Sequence, residues 1–240
     1  HAFNRCILIT SIKIPDGITT INSYTFCACY KLETIDIPES VTSLGDYAFS
    51  SCSKLSSLKI NDGITSIGNG AFFSCTALTS IDIPDSVTFL GDNLCNKCTK
   101  LKSFNFSCNV EEIKDFTFSS CEALENISSI ENIKSIGNSA FISCSKLMHL
   151  EIPDSVTFIG KNAFKKCYSL TSITIPDSIT NISNYMLYYC NKLKTITISN
   201  LVTSIGDYSF ACCSSLESFI IPENVLTIGI YAFSFDSVLK

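Results

Sequence analysis

Cysteine is the residue type in this chain with the widest possible chemistry, because thiols form disulfides, bind metal ions and act as nucleophiles. Ten of the 14 cysteines recur at an unbroken interval of 23 residues: Cys6, Cys29, Cys52, Cys75, Cys98, Cys121, Cys144, Cys167, Cys190 and Cys213. Side chains repeated on successive turns point the same way, and parallel Cβ vectors suit disulfide geometry poorly. We therefore expect buried free thiols that pack as small hydrophobic side chains.

The other four cysteines, Cys27, Cys95, Cys108 and Cys212, lie outside this column. Cys95 and Cys98 form a C-x-x-C pair, but Cys95 takes a position that is phenylalanine in most repeats, so we interpret the pair as two core residues and not as zinc ligands. Cys108 stands in a column of acidic residues and is expected to be exposed, which makes it the candidate reactive thiol. Buried thiols persist in either redox compartment, so the cysteine count leaves the compartment open.

Other residues that could catalyse a reaction are scarce. Histidine occurs only at His1 and His149, and no nucleophile motif or glycine-rich phosphate loop accompanies the internal histidine. Eight carboxylates recur in one column: Asp16, Glu39, Asp62, Asp85, Glu131, Asp154, Asp177 and Glu223. The calcium-binding nonapeptide pattern is absent, and such residues favour turns on a solvated edge. We expect no enzyme, no cofactor and no metal site.

The elements that position these residues follow from the repeat itself. With the periodic cysteine as position 1, the unit reads C-x-x-L-x-x-I-x-I-P-x-x-V-T-x-I-G-x-x-A-F-x-x. The alternating I-x-I step predicts a short strand that pairs with the same strand in adjacent turns, and proline ends it because it cannot donate to the ladder. The glycine and Ala-Phe steps predict a compact return of about one helical turn, with Phe in the core.

This unit resembles the 23-residue leucine-rich repeat of BspA-like proteins, and the resemblance covers all 240 residues. Unlike the general leucine-rich pattern, it has a proline after the strand and does not keep the Asn/Cys position. The resemblance implies an α/β repeat, namely a solenoid with a parallel β-sheet on the concave face and short helical or irregular returns on the convex face. We expect one domain, 1–240, of about ten repeats. Because both termini fall inside a repeat and no polar caps are visible, a fragment of a longer array is expected.

The same resemblance implies a surface-displayed adhesion or interaction protein, with a protein or glycan ligand. An intracellular, cytoplasmic scaffold or assembly component is the alternative. The formal net charge is −5, and the 17 basic residues are scattered over many turns, most densely at Lys97, Lys100 and Lys102. Since nucleic-acid binding needs a clustered basic surface, we expect no nucleic-acid partner. No apolar run reaches the roughly 18 residues of a membrane span, so direct membrane insertion is not expected.

Two surfaces are candidates for binding. The outward positions 6 and 8 of the strand face provide Thr34, Asp36, Ser57, Lys59, Ser80, Asp82, His149 and Glu151. The small hydroxyl side chains at position 6 also suit hydrogen bonds between turns along the stack. The residue type at position 8 varies from turn to turn, as recognition of a specific partner requires. The second candidate is an aromatic patch on the convex side at Tyr188 and Tyr189, for which a locally repacked core is the alternative.

Overall fold

The computed structural model describes all 240 residues, and every turn of the chain takes 23 of them. It contains 17 short strands, β1 to β17 in chain order, and no helix. All strand pairs are parallel and join residues 23 apart, as in Ile12 with Ile35. The strands form two ladders that run along the stack, and the segments between them close each turn. The predicted parallel-strand solenoid is therefore confirmed.

The first ladder occupies positions 6 to 8, where the alternating pattern predicts it. Its strands are β1 (Ser11–Lys13), β3 (Thr34–Asp36), β6 (Ser80–Asp82), β8 (Ser103–Asn105), β10 (Asn126–Ser128), β13 (Ser172–Thr174) and β15 (Thr195–Thr197). In β3 and β6 the middle isoleucine is buried and its two neighbours are exposed. Burial of one apolar residue per strand against the core fixes the register of the stack.

A second ladder, which the sequence pattern did not predict, occupies positions 15 and 16 in all ten turns. Its strands are β2 (Thr20–Ile21), β4 (Ser43–Leu44), β5 (Ser66–Ile67), β7 (Phe89–Leu90), β9 (Glu112–Ile113), β11 (Ser135–Ile136), β12 (Phe158–Ile159), β14 (Asn181–Ile182), β16 (Ser204–Ile205) and β17 (Thr227–Ile228). The residue at position 16 points into the core in nearly every turn, as Ile67 and Ile136 do.

The expected α/β class was wrong, and of the helical or irregular returns that were predicted the structure has irregular ones, since the return segments contain no helix. Positions 19 and 23 have positive φ in every turn, as at Tyr24 (φ 59°) and Ala28 (φ 57°). Two left-handed residues so close together stop a right-handed helix. The N–H groups of these residues donate to carbonyls of the following turn, Tyr24 to Asp46 at 2.8 Å and Ala28 to Ser50 at 2.7 Å. The returns therefore add further hydrogen bonds between turns.

The core is one continuous cluster of 62 buried residues that follows the columns of the repeat. Phenylalanines at position 21 stack along it, with ring centroids of Phe118 and Phe141 5.3 Å apart and those of Phe141 and Phe164 5.4 Å apart. All three rings are fully buried. Stacked aromatic pairs contribute roughly 0.5–1.5 kcal/mol beyond the area they bury.

The cysteine column lies in this core, as predicted, and its thiols also make hydrogen bonds. From Cys29 to Cys213, each Sγ donates to the backbone carbonyl of the position 21 residue that lies 26 residues earlier in the sequence, at 3.0–3.4 Å. Burial raises the pKa of Cys144, and that of Cys167 to about 12, so these thiols stay protonated as donors. A small apolar side chain with one donor suits this position.

The glycine of position 17 is explained by close backbone approach. In seven turns its N–H donates to the position 16 carbonyl of the preceding turn at 2.7–2.9 Å, as from Gly160 to Ile136. Lys114 and Ser183 replace glycine in two turns, and neither makes this bond. The second ladder is interrupted at the same two turns, between β7 and β9 and between β12 and β14. A side chain at position 17 thus accompanies the loss of the backbone bond, and at Ser183 the Oγ donates to the Ile159 carbonyl in its place, at 2.5 Å.

Candidate functional site

The strand face, which we define as positions 6 to 8 of all turns, exposes two polar columns over a buried apolar one. Thr34 and Asp36 lie on β3, and Ser80 and Asp82 lie on β6. The other candidate residues of the strand face, Ser57, Lys59, His149 and Glu151, are also exposed. Every candidate on this face is therefore accessible to a partner.

The first ladder has gaps at the third turn, 57–59, and at the seventh, 149–151. The backbone N–H and C=O groups of these six residues make no hydrogen bond to the rest of the chain. A further gap lies at 218–220. Leu58 and Leu150 are the only leucines at position 7, which is isoleucine in most turns. Leucine lacks the β-branch that favours strands, so this substitution is the signal in the sequence for the first two gaps.

Two clefts open at these gaps. The first, of about 790 Å³, extends from the third to the sixth turn and is lined by Lys59, Asp82 and Asn105 among others. The second, of about 880 Å³, lies between the sixth and seventh turns and is lined by His149 and other polar residues. Both clefts include Ser129, whose φ is +57°. Together they form one groove along the strand face, which we call the strand-face groove.

The groove brings together only part of the predicted site. Ser57, Lys59 and Asp82 line its first cleft. His149 and Glu151 line its second cleft. Thr34, Asp36 and Ser80 are exposed on the strand face but lie outside both clefts. The clefts also contain polar residues that were not among the candidates predicted from the sequence, such as Asp85 and Asn105 in the first and Asn126 in the second, because the gaps that determine which residues line a cleft were not foreseen.

Charges in the groove are exposed and weakly paired. His149 Nε2 lies 3.5 Å from Glu151 Oε1, and Lys59 Nζ lies 4.0 Å from Glu39 Oε1. Solvent-exposed pairs of this kind contribute roughly 0–1 kcal/mol to stability. Their side chains therefore remain available to pair with groups of a ligand. No three His, Cys, Asp or Glu side chains in the chain converge in a metal-binding arrangement.

Cys108 is exposed at the edge of the first cleft, as predicted. Its backbone N–H donates to Asp85 Oδ1 at 3.1 Å. A hydrogen bond from the thiol to the Asp85 carboxylate raises the pKa of Cys108, and desolvation and the carboxylate charge act in the same direction. A raised pKa lowers the thiolate fraction, so Asp85 makes this thiol less reactive than its exposure alone implies.

The aromatic patch at Tyr188 and Tyr189 belongs to a larger cluster on the return side. The ring centroids of these two residues are 4.5 Å apart, and Tyr185 stacks on Tyr208 at 4.9 Å. Lys165 Nζ lies 5.2 Å from the ring centroids of both Tyr185 and Tyr188. Tyr189 is exposed whereas Tyr188 is half-buried, and desolvation raises the pKa of Tyr188. Tyr189 thus faces outward as predicted, whereas Tyr188 packs against its neighbours, as the alternative of a locally repacked core describes.

Comparison with known families settles what kind of repeat this is. The model described as the BspA type leucine rich repeat region matches the chain over residues 1–125 and 111–240, in six copies. The chain belongs to the BspA-type leucine-rich repeat family. The BspA-type repeat thus covers the whole sequence. A comparison of the sequence with curated proteins found no match.

Solved structures resemble this BspA-type chain along nearly its whole length. A leucine-rich repeat protein from Bacteroides ovatus is 31% identical with a TM-score of 0.88, and the match covers 99% of this chain and 67% of that one. A leucine rich cell surface protein from Faecalibacterium prausnitzii is 25% identical with a TM-score of 0.67, covering 97% and 80%. The leucine rich repeat protein of T. pallidum, at 23% identity and a TM-score of 0.60 over 86% and 83%, shares the fold.

Such repeats act generally as scaffolds for interaction with other proteins. The BspA-type chain contains no helix with the length and apolar character needed to span a bilayer.

Proposed function

We propose that this chain is a macromolecule-binding segment of a cell-surface adhesion protein, and that the strand-face groove is its binding site. The observation on which this rests is the pair of gaps in the first ladder, where the backbone of 57–59 and of 149–151 is unpaired beside exposed charged side chains. Open strand backbone can pair with an extended peptide, which gains main-chain hydrogen bonds there. Lys59, Asp82, His149 and Glu151 then supply the side-chain contacts that distinguish one partner from another.

The length of the groove suits an extended partner. Its residues come from the third to the seventh turn, and parallel strands lie about 4.8 Å apart, so it spans roughly 20 Å. No single enclosed cavity is present at the groove, and the polar residues follow one another along the stack. A chain-like ligand contacts many such residues at once, whereas a small molecule contacts few. Tyr188 and Tyr189 form a second proposed contact surface on the return side.

A surface location is supported by the F. prausnitzii relative, which is described as a leucine rich cell surface protein. We expect an impermeant amine-reactive reagent, applied to intact source cells, to label this chain. Mass spectrometry of the captured chain should find exposed lysines such as Lys100 and Lys146 modified. Labelling that requires cell lysis would support the alternative, an intracellular scaffold.

Removing charges from the groove should weaken binding. We expect Lys59→Ala, Asp82→Ala and Glu151→Ala together to reduce affinity for a captured mucin or matrix protein by roughly tenfold, since each exposed charge contact contributes about 0.5 kcal/mol. Surface plasmon resonance against a panel of purified mucins and matrix proteins measures this.

The matched control removes the same charges elsewhere, with Lys161→Ala, Asp177→Ala and Glu223→Ala. These three exposed residues line neither cleft. Equal losses in the two variants would count against the groove. Undiminished binding by the groove variant would direct the search to Tyr188 and Tyr189.

A further inference from the structure

The basic residues are scattered along the sequence, yet the structure gathers most of them on one edge. Because paired residues are always 23 apart, side chains at the same repeat position line up along the stack. The segment from position 22 through position 5 of the next turn, which leads into the first ladder, contains 12 of the 17 basic residues and five of the 22 acidic ones. We call this segment the lysine edge. Its formal charge is +7, and the rest of the chain has −12.

Lysines at position 3 form the regular part of this edge. They are Lys31, Lys54, Lys100, Lys146 and Lys192, and all five are exposed. The last four are each 46 residues apart, which is two turns, or roughly 10 Å along the stack. Small residues such as Ala77 and Ala123 occupy position 3 in the turns between them. From Lys54 to Lys192 a lysine thus recurs at position 3 in every second turn.

None of the cations of the lysine edge forms an ion pair with a carboxylate of the chain. All four ion pairs of the structure involve cations elsewhere, at Lys59, Lys114, Lys134 and His149. Surface lysines usually have mixed charges around them, and here the carboxylates lie mainly on the other edges. The pKa of Lys165 on this edge is lowered, first by burial and then by the neighbouring Lys166 charge. A row of unpaired cations of one sign attracts an extended anion.

Exposed aromatic rings lie on the same edge. Tyr30 and Tyr168 stand at position 2, beside the lysine column, and Tyr189 stands at position 23. Their exposed fractions are 48%, 40% and 37%. Tyrosine offers a flat apolar body with a polar tip, a surface on which the C–H face of a sugar ring can pack.

We propose that the lysine edge binds an acidic linear polysaccharide, lying along the stack with its anionic groups on the position 3 lysines and sugar rings on the tyrosines. The two-turn spacing of the lysines is comparable to the length of one disaccharide, so a polymer with an acidic sugar in each disaccharide meets one lysine per unit. Nucleic acid fits less well, because its phosphates follow one another at about 3.4 Å per strand and the rest of this protein is strongly negative. This inference extends the proposed binding function to a second surface, and the two surfaces can be tested separately.

The test uses the full chain and chondroitin sulfate immobilised on a sensor surface, with dextran as the neutral control. We expect salt-sensitive binding to chondroitin sulfate and none to dextran. The variant Lys100→Gln, Lys146→Gln and Lys192→Gln should bind about tenfold more weakly and with a shallower salt dependence. Glutamine keeps the length and polarity of an exposed side chain, so the fold should persist, which circular dichroism checks.

The matched control, Lys114→Gln, Lys134→Gln and Lys161→Gln, removes the same charge from other edges and should bind within about twofold of the parent chain. Equal weakening in both triple variants would show that net charge alone acts and would overturn the proposal. Equal or tighter binding of a (dT)30 oligonucleotide or of polyglutamate would also overturn it, in favour of a nucleic acid or an acidic peptide. The groove variant Lys59→Ala, Asp82→Ala and Glu151→Ala should still bind chondroitin sulfate, so failure at one surface is distinguishable from failure at the other.

Discussion

Replacing Phe141 with alanine is expected to lower the free energy of unfolding by about 3–5 kcal/mol. The ring is fully buried and stacks on Phe118 and Phe164 in the two adjacent turns. Truncation therefore removes contacts on both sides and leaves a cavity that two further turns must close. In a repeat array each turn is stabilised mainly by its neighbours, so one weakened position affects two interfaces.

Urea unfolding followed by circular dichroism measures this loss. Phe158→Ala is the control, because Phe158 is 51% exposed and its removal should change stability by no more than about 0.5 kcal/mol. Phe141→Leu should cost much less than alanine, since Leu187 occupies the same position two turns later. A small effect of Phe141→Ala, comparable to that of Phe158→Ala, would show that the stacked column is not a main source of stability.

The second large loss of stability is expected when a glycine at position 17 is replaced. A Cβ added at Gly160 would lie 2.5 Å from the backbone nitrogen of Asn138, which is far inside van der Waals contact. The backbone must move to admit it, and the bond from the Gly160 N–H to the Ile136 carbonyl, 2.8 Å long, is then lost. We expect Gly160→Ala to lower the free energy of unfolding by about 1–3 kcal/mol.

Lys114→Ala provides the matched control at the same repeat position. A side chain already stands there and the inter-turn bond is already absent, so alanine should be nearly neutral, within about 0.5 kcal/mol. Thermal unfolding of both variants measures the two losses of stability. Hydrogen exchange of the Gly160 amide in the parent chain, and of the same amide in the Gly160→Ala variant, measures the loss of the inter-turn bond. If Gly160→Ala and Lys114→Ala behave alike, close approach is not the reason for glycine in this column.

Much of the fold could be predicted because the residue type kept at each repeat position reflects one physical requirement of the fold. The I-x-I step indicates the first ladder, and the buried column of Cys144 and its equivalents follows from periodicity alone. The return segment could not be predicted in the same way. Its left-handed positions are occupied mostly by residues such as Tyr24, Ser51 and Lys97, and Gly70 is the one glycine among them, although glycine is the residue that usually marks positive φ. Hydrogen bonds between turns hold these residues in place, and such bonds are invisible in a single repeat.

The candidate site was predictable only in part for a related reason. Exposure of Lys59 and His149 follows from strand alternation, but the groove depends on gaps between turns. Leucine at Leu58 and Leu150 marks these gaps, yet Phe104 also lacks a β-branch and still lies within β8. Side-chain type at position 7 therefore does not decide pairing by itself. The lysine edge, in contrast, can be predicted from the sequence, because its recognition requires only the repeat position and the charge of each residue.

The hydrogen bonds between turns have a consequence for how such an array can change in length. Each joins two fixed repeat positions at a constant separation in sequence, which is 26 residues from Cys144 Sγ to the Phe118 carbonyl and 24 residues from the Gly160 N–H to the Ile136 carbonyl. Duplication or loss of one whole unit of 23 residues leaves every such position with an equivalent partner. Insertion of a single residue instead shifts every later residue of that turn by one repeat position, so none of these residues then faces its partner in the neighbouring turns. Recombination between repeats can thus lengthen or shorten the binding surfaces stepwise, while the core contacts of each turn stay the same.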